Sequence, residues 1–272
     1  MKNKVFRIVS AIILLSFLYF GILYCFQNYF LFSPGGKYKS PKESGNEIFK
    51  ENIIKAEDGT DIMTWFFEGD PDKPLILYFH GNTGQIARFA PLMKNIVNKD
   101  YSVAMIEYRG FGNTKGKISQ KTEFSDAVSF YDYYKKRTDK KIILYGYSFG
   151  CAFALGLTQY RNPDGIILTA PFSSLYQEVK EYPVPLAFLV LKDKYPSDEY
   201  IKNVKCPILI MHGLDDKLID CSHSVSLAEA ATIKSEDMSF VLINNVNHHD
   251  IYFKEINIPL ILDWLKKLQD KF

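Results

Sequence analysis

The sequence predicts an α/β domain: a mainly parallel sheet with helices on both faces. Three observations carry that prediction. Short runs rich in β-branched and aromatic residues recur at 75–79, 103–107, 142–145, 166–169, 208–212 and 240–243. Longer amphipathic stretches at 85–99, 122–136, 151–160, 223–231 and 258–268 alternate with them, as in successive βαβ units. The short runs are almost continuously apolar, so both faces of the sheet need covering helices.

The first element is of another kind. Lys2, Lys4 and Arg7 lead into a run of 19 residues, 8–26, that carries no charge, and the next charge is Lys37. As a helix this run spans ~28 Å at ~1.5 Å per residue, close to the ~30 Å hydrocarbon core of a bilayer. Tyr19, Tyr24 and Tyr29 supply interface-type aromatics toward its far end. A cleaved signal peptide calls for a shorter apolar stretch and a small-x-small site, whereas Leu23-Tyr24-Cys25-Phe26 is bulky. Residues 1–32 are therefore expected to be a single-pass transmembrane anchor, with the lipid bilayer as its partner. The positive residues ahead of the span put the N-terminus in the cytoplasm and the catalytic domain on the opposite side, an asymmetry diluted by Lys37, Lys39 and Lys42.

Residues 33–46, rich in Gly, Pro, Ser and Lys, read as a linker, and 47–272 as the folded domain. Within it, 52–56 and 61–67 bracket Asp58-Gly59, a hairpin-turn signal.

Composition excludes several functions. A formal charge of +2, with no basic stripe interleaved with aromatics, argues against a nucleic-acid partner. The four cysteines are scattered without C-x-x-C spacing, so no metal, redox centre or cofactor is expected. Cys206 and Cys221 flank a strand and a loop and are the one pair open to a disulfide.

The chemistry is announced by Gly146-Tyr147-Ser148-Phe149-Gly150, a G-x-S-x-G pentapeptide between a strand-like run and a helix-compatible one. A turn from strand to helix within so few residues strains the backbone and exposes the serine, and a flanking Cβ would clash. Phe149 then offers its backbone N–H to a developing oxyanion at the positive end of the new helix. A serine hydroxyl is a poor nucleophile at neutral pH and needs an imidazole base oriented by a carboxylate. The loops after later strands read His212-Gly213-Leu214-Asp215-Asp216 and Asn247-His248-His249-Asp250, which keeps the order Ser, Asp, His.

Together with Phe79-His80-Gly81-Asn82 and Tyr108-Arg109-Gly110-Phe111-Gly112, these stretches make the chain resemble the α/β-hydrolases over about 53–268. Within them it is similar to the membrane-anchored, serine aminopeptidase-like branch, some of whose relatives are depalmitoylases. The resemblance implies Asp216 as the acid of H-G-x-x-D, His248 as the base of G-H-x-D-I, and the Asn82 N–H as the second oxyanion donor beside Phe149. The sequence departs from the pattern where Asn247 replaces glycine and where His249 follows the histidine directly. His249 thus stands as an alternative base, and Asp220 and Asp250 as alternative acids. His80 and His212 are expected to be structural and Arg109 to brace loops. Adjacent histidines do not easily face one ion, so the His248-His249-Asp250 cluster is not read as a metal site.

In this fold the segment ahead of the acid-bearing strand forms a cap, here only 172–205, with room for one or two helices near 186–191. A short cap leaves the serine open to bulky or tethered acyl groups. Tyr182, Phe188, Leu189 and Val190 are the candidate acyl-binding residues, or else they pack on the domain. The expected function is a serine hydrolase that cleaves carboxylic esters or thioesters of lipid or acyl-protein type through an acyl-enzyme. Peptide hydrolysis is the alternative, with Glu178, Glu181 and Asp193 as the cap carboxylates able to hold an amino group. A catalytically silent binding or scaffold protein is the alternative of another class, and the intact Ser, Asp and His set argues against it.

Overall fold

In the computed structural model, which describes residues 2–271, the apolar runs form the strands β1 (Lys50–Lys55), β2 (Asp61–Phe67), β3 (Leu75–Phe79), β4 (Ser102–Ile106), β5 (Ile142–Tyr147), β6 (Gly165–Thr169), β7 (Ile208–Gly213) and β8 (Met238–Ile243). The α-helices are α1 (Lys2–Leu31), α2 (Ile86–Val97), α3 (Gln120–Lys135), α4 (Phe149–Leu157), α5 (Leu175–Glu181), α6 (Ser197–Tyr200), α7 (Ser222–Ala230), α8 (Asp250–Phe253) and α9 (Ile258–Gln269). Among the described residues the strands form one sheet in the order β1-β2-β4-β3-β5-β6-β7-β8. Pairing is antiparallel for β1–β2 and β2–β4 and parallel from β4 onward.

Two cores lie on the two faces of this sheet, and the strand alternation sorts residues between them. Leu75, Leu77, Phe79, Leu144 and Leu168 join Phe124, Phe130 and Phe153 of α3 and α4. Ile76, Tyr78, Met105, Tyr145 and Ile167 join Phe89 and Met93 of α2 and Ile261, Trp264 and Leu265 of α9. Strands β3 to β7 are buried along their whole length, as continuously apolar runs require. Asp58-Gly59 makes the expected turn between β1 and β2, with Gly59 at φ +83. Because β3 sits between β4 and β5, sheet growth reverses there, and the carboxyl ends of β3 and β5 open onto a common crevice.

Helix α1 is the one described helix long and apolar enough to cross a membrane. Its C-terminal end is docked on the domain. Asn28 Nδ2 donates to Ile118 O at 2.7 Å, and Asn82 Nδ2 to Leu31 O at 2.7 Å. Phe32 enters the core 4.8 Å from the Phe149 ring centroid. Residues 33–46, expected as a linker, are bonded across the domain as a strap. Ser33 bridges Thr83, Trp65 Nε1 donates to Tyr38 Oη at 3.2 Å, Lys94 Nζ donates to Gly45 O at 2.6 Å, and Asn46 is buried. Carbonyl and hydroxyl acceptors of this polar stretch find donors on the domain surface, which a Gly/Ser/Pro composition does not forecast.

Residues 172–205 fold as α5, a one-turn 3₁₀ helix (Ala187–Val190), α6 and a second 3₁₀ turn (Ile201–Asn203). The helix expected near 186–191 is limited to that single turn, because Leu186 takes a left-handed conformation at φ +57 just ahead of it. All four cysteines are free thiols, so Cys206 and Cys221 are not bonded.

Arg109 does brace loops. Its guanidinium pairs with Asp126 of α3 at 2.6 and 2.7 Å and with Asp58 of the β1–β2 turn at 2.6 and 3.0 Å. Arg109 is buried, Asp126 is buried and Asp58 is half-exposed. Arg109→Met strands the Asp126 carboxylate and is expected to lower stability by about 3 kcal/mol, with much of the loss recovered in Arg109→Met/Asp126→Leu. Thermal unfolding of the two variants in detergent checks this; no recovery in the double variant contradicts it.

Candidate active site

The turn at Ser148 is built by close backbone approach. Ser148 is the single residue between β5 and α4 and takes φ +52 and ψ −120, a conformation that L-residues with side chains rarely adopt. Two hydrogen bonds hold it there: Ser148 N donates to Thr169 O of the neighbouring strand at 2.8 Å, and Cys151 N donates to Ser148 O at 3.0 Å. A Cβ on Gly150 would stand 2.1 Å from Phe79 O, and one on Gly146 would stand 2.5 Å from Cys151 Cα, so both flanking glycines are required by space. Cys151 is buried with its Sγ toward Thr169 O, and burial pushes its thiol well above the ordinary range. That thiol is not a competing nucleophile.

Ser148, His248 and Asp216 form one hydrogen-bonded chain. His248 Nε2 lies 3.0 Å from Ser148 Oγ, and His248 Nδ1 lies 2.7 Å from Asp216 Oδ2. The carboxylate accepts at Nδ1, so the proton of the neutral ring sits there and Nε2 turns its lone pair to the serine hydroxyl. Tyr147 Oη donates to His248 O at 3.0 Å and fixes the backbone of the histidine loop.

Asp216 is held on every side. Its Oδ1 accepts from Leu218 N and Ile219 N, both at 2.9 Å, and its Oδ2 also faces His212 Nε2 at 3.1 Å. His212 is fully buried, with Nδ1 2.6 Å from Ser224 Oγ. Burial alone would raise the Asp216 pKa. Hydrogen bonds from His212 and His248 outweigh it and hold the carboxyl well below the ordinary range.

The alternatives left open by the sequence are separated by this geometry. His249 is exposed and Asp215 is exposed, while Asp220 caps Ser222 N at 2.9 Å and Asp250 bonds Lys254 at 2.9 Å. Asn247, where the family pattern has glycine, serves the local backbone. Its Oδ1 accepts from His249 N at 3.0 Å and Asp250 N at 2.9 Å, which starts α8. His80 is buried between Glu107 Oε1 at 3.2 Å and Gly81 O at 2.7 Å, remote from Ser148 Oγ in its bonding.

A cavity of about 590 Å³ opens at Ser148, with Asn82 and Phe149 beside the serine and mostly apolar walls beyond. Tyr182 lines it. Val190 lines it too, beside Ala187, whereas Phe188 and Leu189 do not: Phe188 packs 5.6 Å from the Tyr176 ring and Leu189 is exposed. A 3₁₀ turn puts i and i+3 on one face, a spacing that an apolar count cannot supply. Four wall residues from α1 carry no signal of this role in the sequence: Leu23, Gln27, Phe30 and Leu31. The sequence likewise gives no signal of a role for His223, a fourth buried histidine. Its Nδ1 lies 2.8 Å from Ser173 Oγ, and its Nε2 lies 3.3 Å from carboxylates of both Glu178 and Glu181. Burial disfavours its charged form, but the two glutamates outweigh burial and raise its pKa. Among the described residues no group of His, Cys, Asp and Glu is arranged to hold a metal ion.

Comparison with known proteins agrees with this architecture. Residues 70–197 match the family model described as serine aminopeptidase, S33. An uncharacterized protein of Mycobacterium tuberculosis is 30% identical over 208 residues, covering 74% of this chain and 73% of its own. The lysophosphatidylserine lipase ABHD12 of Danio rerio is 27% identical over 276 residues, covering 84% of this chain and 72% of its own. In structure, the esterase Pf2001 of Pyrococcus furiosus superposes with a TM-score of 0.70 at 19% identity, covering 87% of this chain and 97% of its own. With the mainly parallel sheet and the strand–serine–helix turn already described, these similarities establish that the chain is a hydrolase of the α/β-hydrolase superfamily.

Proposed function

We propose that this protein is a membrane-anchored serine hydrolase that cleaves carboxylic ester or thioester bonds of lipid or acyl-protein substrates through an acyl-enzyme. The observation that carries the reading is the Ser148–His248–Asp216 chain, with separations of 3.0 and 2.7 Å, at the inner end of an apolar cavity. Ser148 Oγ attacks the acyl carbon as its proton passes to His248 Nε2, and Asp216 stabilises the imidazolium that forms. The oxyanion takes N–H donors from Phe149, at the positive end of α4, and from Asn82, each worth about 3 kcal/mol at the transition state. His248 returns the proton to the leaving alcohol or thiol, and water, activated by the same ring, frees the acid.

The apolar walls favour an acyl group as the part of the substrate held before cleavage. The named activity of the ABHD12 relative, hydrolysis of a lysophospholipid, favours a lipid ester among these substrates. Helix α1, with mean hydropathy 2.4 over its most apolar stretch, supports the anchor, and Lys2, Lys4 and Arg7 support a cytoplasmic N-terminus with the hydrolase domain across the membrane. Peptide hydrolysis, the reading suggested by the description of the family model, is less well served. Glu178 and Glu181 are engaged with His223, and Asp193 borders a separate hollow with Glu57 and Lys121.

A fluorophosphonate probe is expected to label the full-length protein in detergent and to leave Ser148→Ala unlabelled. Ester turnover should fall by roughly 10⁴-fold or more in His248→Ala and persist in His249→Ala. Loss of labelling in His249→Ala with retention in His248→Ala contradicts the assignment.

The depressed Asp216 pKa also fixes a pH dependence. A carboxyl whose folded pKa lies below its unfolded value stabilises the fold above the unfolded pKa and loses that contribution as pH falls through the folded pKa. The stability difference between wild type and Asp216→Asn should therefore hold level from neutral pH down to about pH 5 and shrink only below about pH 4. Thermal melts across this range check it, and a difference that collapses near neutral pH contradicts it.

A further inference from the structure

The cavity that ends at Ser148 is not enclosed by the α/β domain alone. Leu23, Gln27, Phe30 and Leu31 of α1 border it, in the i, i+4, i+7, i+8 pattern of one helix face. Opposite them stand Val190 and Leu191 of the cap. Gln27 fastens the two walls together: its Oε1 accepts from Lys192 N at 2.8 Å, and its Nε2 donates to Val190 O at 3.3 Å. A buried amide is costly unless both of its ends are bonded, and here the cap backbone bonds both. The Lys192 ammonium adds a contact 4.0 Å from the Tyr24 ring centroid.

A second contact sets the level of the cap. Tyr19 Oη donates to Pro185 O at 2.7 Å. Tyr19 lies inside the charge-free run 8–26, about 10 Å along the helix axis from its end at ~1.5 Å per residue. The cap tip thus runs beside the part of α1 read as spanning the bilayer. Tyr182, Leu186 and Leu189 on that tip are 50, 52 and 62% exposed, apolar surface that suits a lipid neighbour. Leu23, at the outer end of the cavity wall, also belongs to the charge-free run.

We propose that α1 is a wall of the acyl-chain site as well as an anchor. The single acyl chain of a membrane-resident ester leaves the bilayer alongside α1, lies between Leu23 and Leu31 on one side and the cap on the other, and presents its carbonyl to Ser148. Leu23 is then a chain-length-determining residue. This rests on the hydrolase reading above.

The test uses the full-length protein in detergent micelles with p-nitrophenyl butyrate and p-nitrophenyl palmitate, and reads the ratio of kcat/KM for palmitate to that for butyrate. Leu23→Trp fills the cavity and is expected to lower the ratio by roughly tenfold or more, the effect of displacing about two methylenes of chain. Leu14→Trp, on an exposed part of α1 away from the cavity, should leave it unchanged. Leu23→Ala, which enlarges the cavity, should raise the ratio and keeps the test open where the Trp variant fails to fold. Active enzyme whose ratio is the same in the wild type and both Leu23 variants overturns this inference alone, as does an equal drop in Leu14→Trp. Wild type that neither labels with fluorophosphonate nor turns over either ester overturns the hydrolase reading and this inference with it.

Discussion

The backbone at Ser148 is the constraint on which the site depends. One residue, at φ +52, connects β5 to α4, and the glycines on either side admit no Cβ because Phe79 O and Cys151 Cα already occupy that space. The strain is sustained by a sheet bond to Thr169 and by nine buried residues of α4 behind it. From this turn follow the exposure of the hydroxyl to the cavity, the direction of the α4 amides toward it, and the need for β3 to run directly alongside β5. The loop after β3 carries Asn82 to the same place.

The second dependency is electrostatic. A buried carboxylate is tolerated only when its oxygens are fully bonded, and Asp216 has two backbone donors on one oxygen and two imidazoles on the other. His212, fastened to Ser224, positions the carboxylate, and the carboxylate in turn orients His248. Each link restricts the next, so the proposed base reaches the serine with its tautomer and direction already chosen.

Much of this is legible in the sequence because it is local. Continuous apolar runs of strand length mark β3 to β7, and Asp58-Gly59 marks the turn between β1 and β2. The motif around Ser148 marks its turn because its glycines answer a steric demand that any such turn makes. The choice between His248 and His249 is less legible, since two adjacent histidines look alike in sequence; the side chain of Asn247, bonded to the next two amides, starts α8 and leaves His248 facing inward. The cap is less legible again. A left-handed Leu186 cuts the expected helix to one 3₁₀ turn, which puts the unforeseen Ala187 beside the expected Val190 at the cavity and leaves Phe188 and Leu189 off it. Least legible is the return of α1 to the site. Gln27 and Val190 are 163 residues apart, and no periodicity within α1 names its partner. The only local sign is a pair of amides, Gln27 and Asn28, directly after the charge-free run.

In the function proposed for this chain, α1 joins anchoring and substrate selection in one element, and the proposed chemistry at Ser148 is what gives that arrangement a purpose. The most direct test of the account is to trap the acyl-enzyme. The full-length protein is mixed with a long-chain ester, acid-quenched within the first turnovers and digested for mass spectrometry. The account predicts that the peptide containing Ser148 gains the mass of the acyl group and loses it on further incubation. Turnover without an adduct on Ser148, or with the adduct on another residue, would contradict it.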